Sequence, residues 1–276
     1  METEELRSRA CLIRADLIKM LAGAGSGHTG GPMGTADMFT ALYFGGLLKY
    51  DPKNPSWPER DYFVLSNGHI CPILYVTLAH AGFFPVEELS TLRRLGTRLQ
   101  GHPHRLDTPG VEVSAGSLGQ GISVAVGMAM GLKSDGKPNQ VVCMTGDGEL
   151  EEGSCWEAFM AAARYALDNL TVIVDRNYLQ IDGHTDLYVS SLDPLDEKFR
   201  AFNFDTYACD GNNMADFIDT FHKARAARGK PRVIIARTVM GKGVSFMEDD
   251  HAWHGKPPNA QEAELALQEL GVSKGC

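Results

Sequence analysis

Two short motifs have the residue types that hold a metal ion. Gly146-Asp147-Gly148 closes one apolar run, and Asn177 follows the next, 177 − 147 = 30 positions later. A carboxylate and an amide oxygen are hard donors of the kind Mg²⁺ or Ca²⁺ takes, and Mg²⁺ commonly shares its octahedral shell with phosphate and water. Gly146 and Gly148 flank the Asp where a side chain would keep a diphosphate from the backbone amides. Asp-Gly is also an ordinary turn, so the metal reading rests on the paired Asn at the next strand end.

A second group is built for anions and protons. Gly116-Ser117-Leu118-Gly119-Gln120-Gly121 opens an apolar helix. Such a start offers unpaired amides and a positive dipole end, though its glycines would serve close packing equally well. His28 lies in Ser26-Gly27-His28-Thr29-Gly30-Gly31-Pro32-Met33-Gly34, a segment whose glycines predict flexibility. His69 ends Ser66-Asn67-Gly68-His69, His102 sits between Gly101 and Pro103, and His251 and His254 flank Ala252-Trp253. Each alone suits a surface or structural role. Four in Gly- or Pro-bearing loops suggest one polar pocket. Of Glu149, Glu151 and Glu152, the first two suit a helix N-terminus, and Glu152 is the one expected to be buried. A zinc site lacks the HExxH pattern, a serine hydrolase its GxSxG elbow and a dinucleotide fold its GxGxxG.

The elements that must position these groups follow from periodicity. Leu6, Ala10, Ile13, Leu17 and Leu21 mark a helix that ends in glycines, and a second helix spans Thr35 to Phe44. Tyr62 to Leu65 is a short strand, and Pro72 opens a helix to about Ala81. Residues 96–116 form a loop, and a helix from Ser117 is read as buried on all sides from its small residues, Gly121, Ala125, Gly127 and Ala129. Strands Gln140 to Thr145, Leu170 to Val174 and Arg232 to Thr238 then alternate with helices Gly153 to Leu167 and Met214 to Arg228. Uninterrupted apolar strands separated by helices predict an α/β fold, a predominantly parallel sheet covered by helices on both faces. Ligands in such sheets sit beyond the carboxyl ends of the strands, which is where Ser66-Asn67-Gly68-His69, Gly146-Asp147-Gly148 and Asp175-Arg176-Asn177 fall. Gly241-Lys242-Gly243 also follows a strand, and Lys242 receives no role.

Composition narrows the class. The 276 residues carry a net charge of −9 and are 43% hydrophobic, which excludes a disordered chain and argues against a nucleic-acid footprint. No apolar run is long enough for a membrane span, and no signal peptide is expected. Cys11, Cys71, Cys143, Cys155, Cys209 and Cys276 are scattered without a CxxC pair, which suits reduced thiols in a cytoplasm.

Taken in order, these motifs, with Glu151-Glu152-Gly153, Ile181-Asp182-Gly183 and His254-Gly255, are identified with the transketolase family. The chain resembles its N-terminal, thiamine-diphosphate-binding part from about residue 5 to 258, and residues 1–258 are expected to form that domain, with 259–276 as a helical tail. The resemblance implies Mg²⁺ (or Ca²⁺ or Mn²⁺) on Asp147, Asn177 and the Leu179 carbonyl. It implies cofactor contacts from Gly116, Ser117, Leu118, Gly148 and His69, with Asn177, Glu152 and His254 also against the cofactor. His28, His69, His102, His254 and Glu152 would form the catalytic set. His28 and His254 would lie between cofactor and sugar, His102 would touch sugar hydroxyls, and Glu152 would join a carboxylate network between paired sites. Ser117 stands where Pro is frequent, and Leu179 where Ile is.

The family's pyrimidine-binding and C-terminal domains have no counterpart here. The resemblance therefore implies the N-terminal subunit of a split transketolase, active with a separately encoded C-terminal subunit, two copies of each. The implied reaction, in pentose phosphate chemistry or with an unusual sugar or sulfosugar, moves a two-carbon ketol unit from a ketose to an aldose. Two alternatives are the alpha subunit of a 2-oxo acid dehydrogenase and a non-catalytic regulatory subunit.

Overall fold

The computed structural model describes residues 3–188 and 191–271. Cys276 and the end of the expected tail lie outside them. Helices α1 (Thr3–Ala24) and α2 (Gly30–Phe44) come first, then strand β1 (Tyr62–Leu65) and helix α3 (Cys71–His80). After a long loop come α4 (Gln120–Ser134), β2 (Val141–Gly146), α5 (Gly153–Arg164) and β3 (Leu170–Arg176). A two-residue hairpin, β4 (Leu179–Gln180) and β5 (Gly183–His184), leads to α6 (Thr185–Tyr188) and α7 (Leu195–Ala201). Strand β6 (Asp205–Asp210), helix α8 (Met214–Ala226), β7 (Arg232–Arg237) and α9 (Ala260–Glu269) complete the chain.

The main sheet has the order β1-β2-β3-β7-β6, and every pairing is parallel. Successive side chains point to opposite faces. Val142, Met144, Ile173 and Ile234 accordingly join one core with α1, α2, α3, α8 and α9. Val141, Cys143, Val172, Val174 and Val233 join the other with α4, α5 and α7. The expected fold class holds. On the first of these faces α9 closes against α1, burying Ala263 and Ala266, and the Cys11 thiol donates to the Leu270 carbonyl at 3.0 Å.

Three expectations need correction. Helix α2 starts at Gly30, and its glycines are packed rather than flexible. A Cβ on Gly31 would come within 2.9 Å of Ile70, and one on Gly34 within 2.8 Å of the Val239 carbonyl. Helix α4 is not buried on all sides, because Ser123, Val124, Gly127 and Gly131 face outward. Strand β6 and helix α7 were not expected. Strand β6 is an edge strand whose only fully inward residue is Cys209, so it carries no apolar run.

Candidate active site

The register of β2 on β3 places Gly146 opposite Asp175, so Asp147 and Asn177 emerge side by side at the carboxyl ends of neighbouring strands. The Asp147 N–H donates to the Asp175 carbonyl at 3.2 Å, which ties the two loops together. Asp147 Oδ1 accepts from Gly148 N–H at 2.8 Å. Its Oδ2 accepts from Tyr178 N–H at 2.7 Å and from Arg176 Nη1 at 3.1 Å. Burial pushes the Asp147 carboxyl up to about 6, against the pull of Arg176 and the two amides. Asn177 Oδ1 accepts from Leu179 N–H at 2.8 Å, and its amide donates to Asp175 Oδ2 at 2.9 Å. Asp175 also accepts from the Thr238 hydroxyl, and burial pushes it up to about 7.

Across the cavity three imidazoles converge from distant parts of the chain. The His28 ring centroid lies 5.0 Å from that of His69 and 5.6 Å from that of His254, and His69 lies 5.3 Å from His254. Burial holds all three below the usual imidazole range, His28 at about 4 and His69 at about 3, and their proximity deepens the effect for these two. The rings are therefore neutral at physiological pH, each with one N–H donor and one acceptor nitrogen. His102 is also lowered, by burial and then by the Arg93 charge.

The glycine-rich loop is held by an acid. Glu149 is 2% exposed; its Oε1 accepts from Ser66 Oγ at 2.5 Å and from Gly119 N–H at 2.9 Å. Its Oε2 accepts from Gly146 N–H at 3.2 Å, and Ser66 Oγ in turn accepts from Ile122 N–H at 3.0 Å. Glu152, expected to be the buried acid, is exposed. The reason is the single 3-10 turn Gly148–Glu151, which aims Glu149 at three donors and leaves Glu152 at the cavity edge. Gly119, at φ +78, begins α4 in a backbone conformation that favours glycine.

A cavity of about 420 Å³ joins these groups. His28, His69, His102, His254, Gly116, Leu118, Asp147, Gly148, Glu152, Asn177 and Leu179 all line it. Ser117 does not: it is exposed, outside the lining. His251 is a surface residue 3.9 Å from Asp250, so the two histidines around Ala252-Trp253 do not converge. Lys242 pairs with Glu248 at 3.3 Å.

Residues 7–275 match a family model described as transketolase, thiamine diphosphate binding domain. The chain belongs to the transketolase family. It is 42% identical to one subunit of the apulose-4-phosphate transketolase of Actinobacillus succinogenes, over 97% of this chain and 96% of that one. It is also 42% identical to the 6-deoxy-6-sulfo-D-fructose transketolase subunit SqwG of a Clostridium species, over 96% of both. Among solved structures, the transketolase of Campylobacter jejuni superposes with a TM-score of 0.91 at 34% identity. That match covers 98% of this chain and 43% of that one, so this chain spans less than half of the solved transketolase.

The site fits the family's cofactor on its own terms. Asp147, Asn177 and the Leu179 backbone are oxygen donors suited to Mg²⁺, and Gly148 leaves room where a Cβ would press within 3.0 Å of Gln180 Oε1. Asn67 Oδ1, His28 Nδ1, His254 Nδ1 and Glu151 Oε1 are buried without a hydrogen-bond partner among the described residues. Buried polar atoms of this kind call for one, and a bound ligand would supply it. Sequence reasoning placed Arg176 in the rim loop Asp175-Arg176-Asn177 and gave it no role, whereas it ends β3. Its guanidinium is 2% exposed and also reaches Asp186 at 3.2 Å and Asp193 at 3.1 Å while lying over the Tyr178 ring. Only the acids following it, Asp182, Asp186 and Asp193, hint in the sequence at a buried cation.

Proposed function

We propose that this chain is the thiamine-diphosphate- and Mg²⁺-binding subunit of a two-subunit transketolase that moves a two-carbon ketol unit from a ketose to an aldose. One observation carries the reading: a single cavity is lined both by the Asp147–Asn177 pair and by the neutral His28, His69 and His254 cluster. When bound, thiamine diphosphate supplies a nucleophilic carbon and an electron sink for breaking the bond beside a ketose carbonyl.

The chain's own residues divide the remaining work. Asp147, Asn177 and the Leu179 carbonyl hold the metal, and Gly116, Leu118 and Gly148 let the diphosphate approach the backbone. His28 and His254 each keep an unpaired Nδ1 and can exchange a hydrogen bond or proton with sugar oxygens. His69 supports the cofactor, and His102 meets sugar hydroxyls from the cavity's other edge. Glu152, exposed in the free chain, would join the carboxylate network with a second polypeptide. The packed Gly30–Phe44 helix and the histidine cluster favour ketol transfer over 2-oxo acid decarboxylation.

The pairing with a second polypeptide is supported by the names of two relatives, which are themselves transketolase subunits matched over 96% of their length. Two copies of each chain, a cofactor-binding domain at 1–258 and a C-terminal helix or tail at 259–276 complete the proposal. The relatives' names point to ketoses carrying a phosphate or sulfonate. The free thiols of Cys11, Cys71, Cys143, Cys155 and Cys209 suit a cytoplasmic setting, and no helix among the described residues is long and apolar enough to cross a membrane. The test is reconstitution with the C-terminal transketolase subunit of the same organism. Ketol transfer should require both chains, thiamine diphosphate and Mg²⁺; turnover by this chain alone, or none by the pair with any ketose donor, overturns it.

A further inference from the structure

We propose that Arg93 is a positioning residue that clamps the loop carrying His28 to the loop carrying His102 and keeps a positive charge beside both rings. Arg93 Nη1 donates to Ser26 Oγ at 2.9 Å, two residues before His28. Its Nη2 donates to the Gly101 carbonyl at 3.3 Å, one residue before His102. The two loops are far apart in sequence and meet through this one side chain.

The surroundings are shaped for it. Arg93 takes φ +58, the left-handed region that residues other than glycine rarely occupy, and its N–H donates to the Leu99 carbonyl at 2.8 Å. A non-glycine residue held there has to be over-determined by its neighbours, and such strain clusters at working sites. Gly101 lies directly against the guanidinium, where a Cβ would come within 3.1 Å of Arg93 Cζ. The same Gly101 carbonyl accepts from the Cys71 thiol at 3.3 Å, so the His102 loop is fixed from two sides. No carboxylate pairs with Arg93 among the described residues, which leaves its charge uncancelled. The charged or titratable groups acting on His28 are His254, Arg93 and His102, with His69 in ring contact, and Arg93 is the one acting on His102. An uncancelled cation disfavours protonation of both rings.

The inference rests on the reading that His28 and His102 face the sugar, but its test needs neither cofactor nor partner. Imidazole ¹⁵N titrations on the full chain, in wild type, Arg93→Lys and Arg93→Met, report the charge. The His28 and His102 midpoints should rise together in Arg93→Met and stay in place in Arg93→Lys. Hydrogen exchange of residues 26–29 and of residues 101 and 102 reports the clamp and should quicken in both segments in both variants. Ser26→Ala, a milder cut of one arm, should quicken exchange in the first segment while leaving the midpoints low. Unchanged midpoints in Arg93→Met, or unchanged exchange in either segment, overturn the proposal. Calorimetry of thiamine diphosphate on the wild-type chain separately decides whether the cofactor reading stands.

Discussion

Arg176 Nη1 meets Asp147 Oδ2 at 3.1 Å, and both side chains are 2% exposed. The acid proposed to hold the metal is thus already paired with a buried cation, which also grips Asp186 and Asp193. Removing one partner of a buried pair costs more than the pair contributes, because the charge left behind is unsolvated. Arg176→Met should therefore destabilise the chain by about 3 kcal/mol in urea unfolding. Arg176→Lys should recover part of this, because Lys keeps the charge but not the planar fork. Near-wild-type stability of Arg176→Met would show that the ion pair does not hold in solution.

Removal of the metal tests Asp147 directly. Titrated with thiamine diphosphate in the presence of Mg²⁺, the wild-type chain should bind, and EDTA should abolish the binding. Asp147→Ala should lose at least tenfold in affinity, on the order of 1.4 kcal/mol, while its circular dichroism stays native. Metal-independent binding of equal strength in wild type and variant would detach the two rim loops from the cofactor.

The site gives the stability of the free chain two opposing pH dependences. His28 and His69, at about 4 and about 3, stay neutral in the native chain where the unfolded chain protonates below 6.5. Their contribution is therefore lost as pH falls from 6.5 toward 4. Asp147 and Asp175, at about 6 and about 7, keep protons that the unfolded chain releases above 3.8. Their contribution is lost as pH rises from 3.8 toward 6 and 7. Relative to wild type, His69→Gln should tilt the urea midpoint toward falling with rising pH, and Asp175→Asn toward rising with it. The same slope in both variants would contradict the assignment.

Glu149 is the acid whose loss should loosen the glycine loop. All three of its contacts are donors, so a carboxylate satisfies them and an amide cannot. Glu149→Gln turns an N–H₂ toward Gly119 N–H or Gly146 N–H and should cost about 1–3 kcal/mol. Calorimetry should also show weaker thiamine diphosphate binding, because Gly146 lines the cavity and Gly119 follows Leu118, which lines it too. Unaltered stability and affinity would return Glu149 to an ordinary helix-start acid.

What the sequence showed depended on whether a role is local. Asp147 and Asn177 were legible because each ends a buried apolar run, and parallel register does the rest. The convergence of His28, His69 and His254 was legible as a polar pocket from their Gly- and Pro-bearing loops, but the ring-to-ring geometry was not, since three loops far apart in the chain make it. Glu149 and Glu152 have equal chemistry, and only the direction of one 3-10 turn separates them. Arg176 was read only as a member of the Asp175-Arg176-Asn177 rim loop, and its role was hidden because its partners are spread over residues 147–193. The glycines of α4 were misjudged because an open backbone and a tightly packed one have the same composition.

Those glycines provide a matched pair. A Cβ on Gly121 would lie 2.6 Å from Ser66 Cα, a backbone atom that cannot swing away, and Ser66 is the residue that links Glu149 to α4. A Cβ on Gly127 would meet nothing within 4 Å. Gly127 is interior to the helix, where replacing Gly by Ala gains up to about 1 kcal/mol, and Gly121, its second residue, gains no more than that. Overpacking at Gly121 should outweigh it, leaving Gly121→Ala destabilised by about 1–3 kcal/mol, while Gly127→Ala is stabilised in the free chain. A loss of stability in Gly121→Ala, which propensity alone cannot produce, reports the contact with Ser66. Equal midpoints would mean that α4 does not press on the Ser66 turn, and the route from Glu149 through Ser66 to the glycine loop would fail with it.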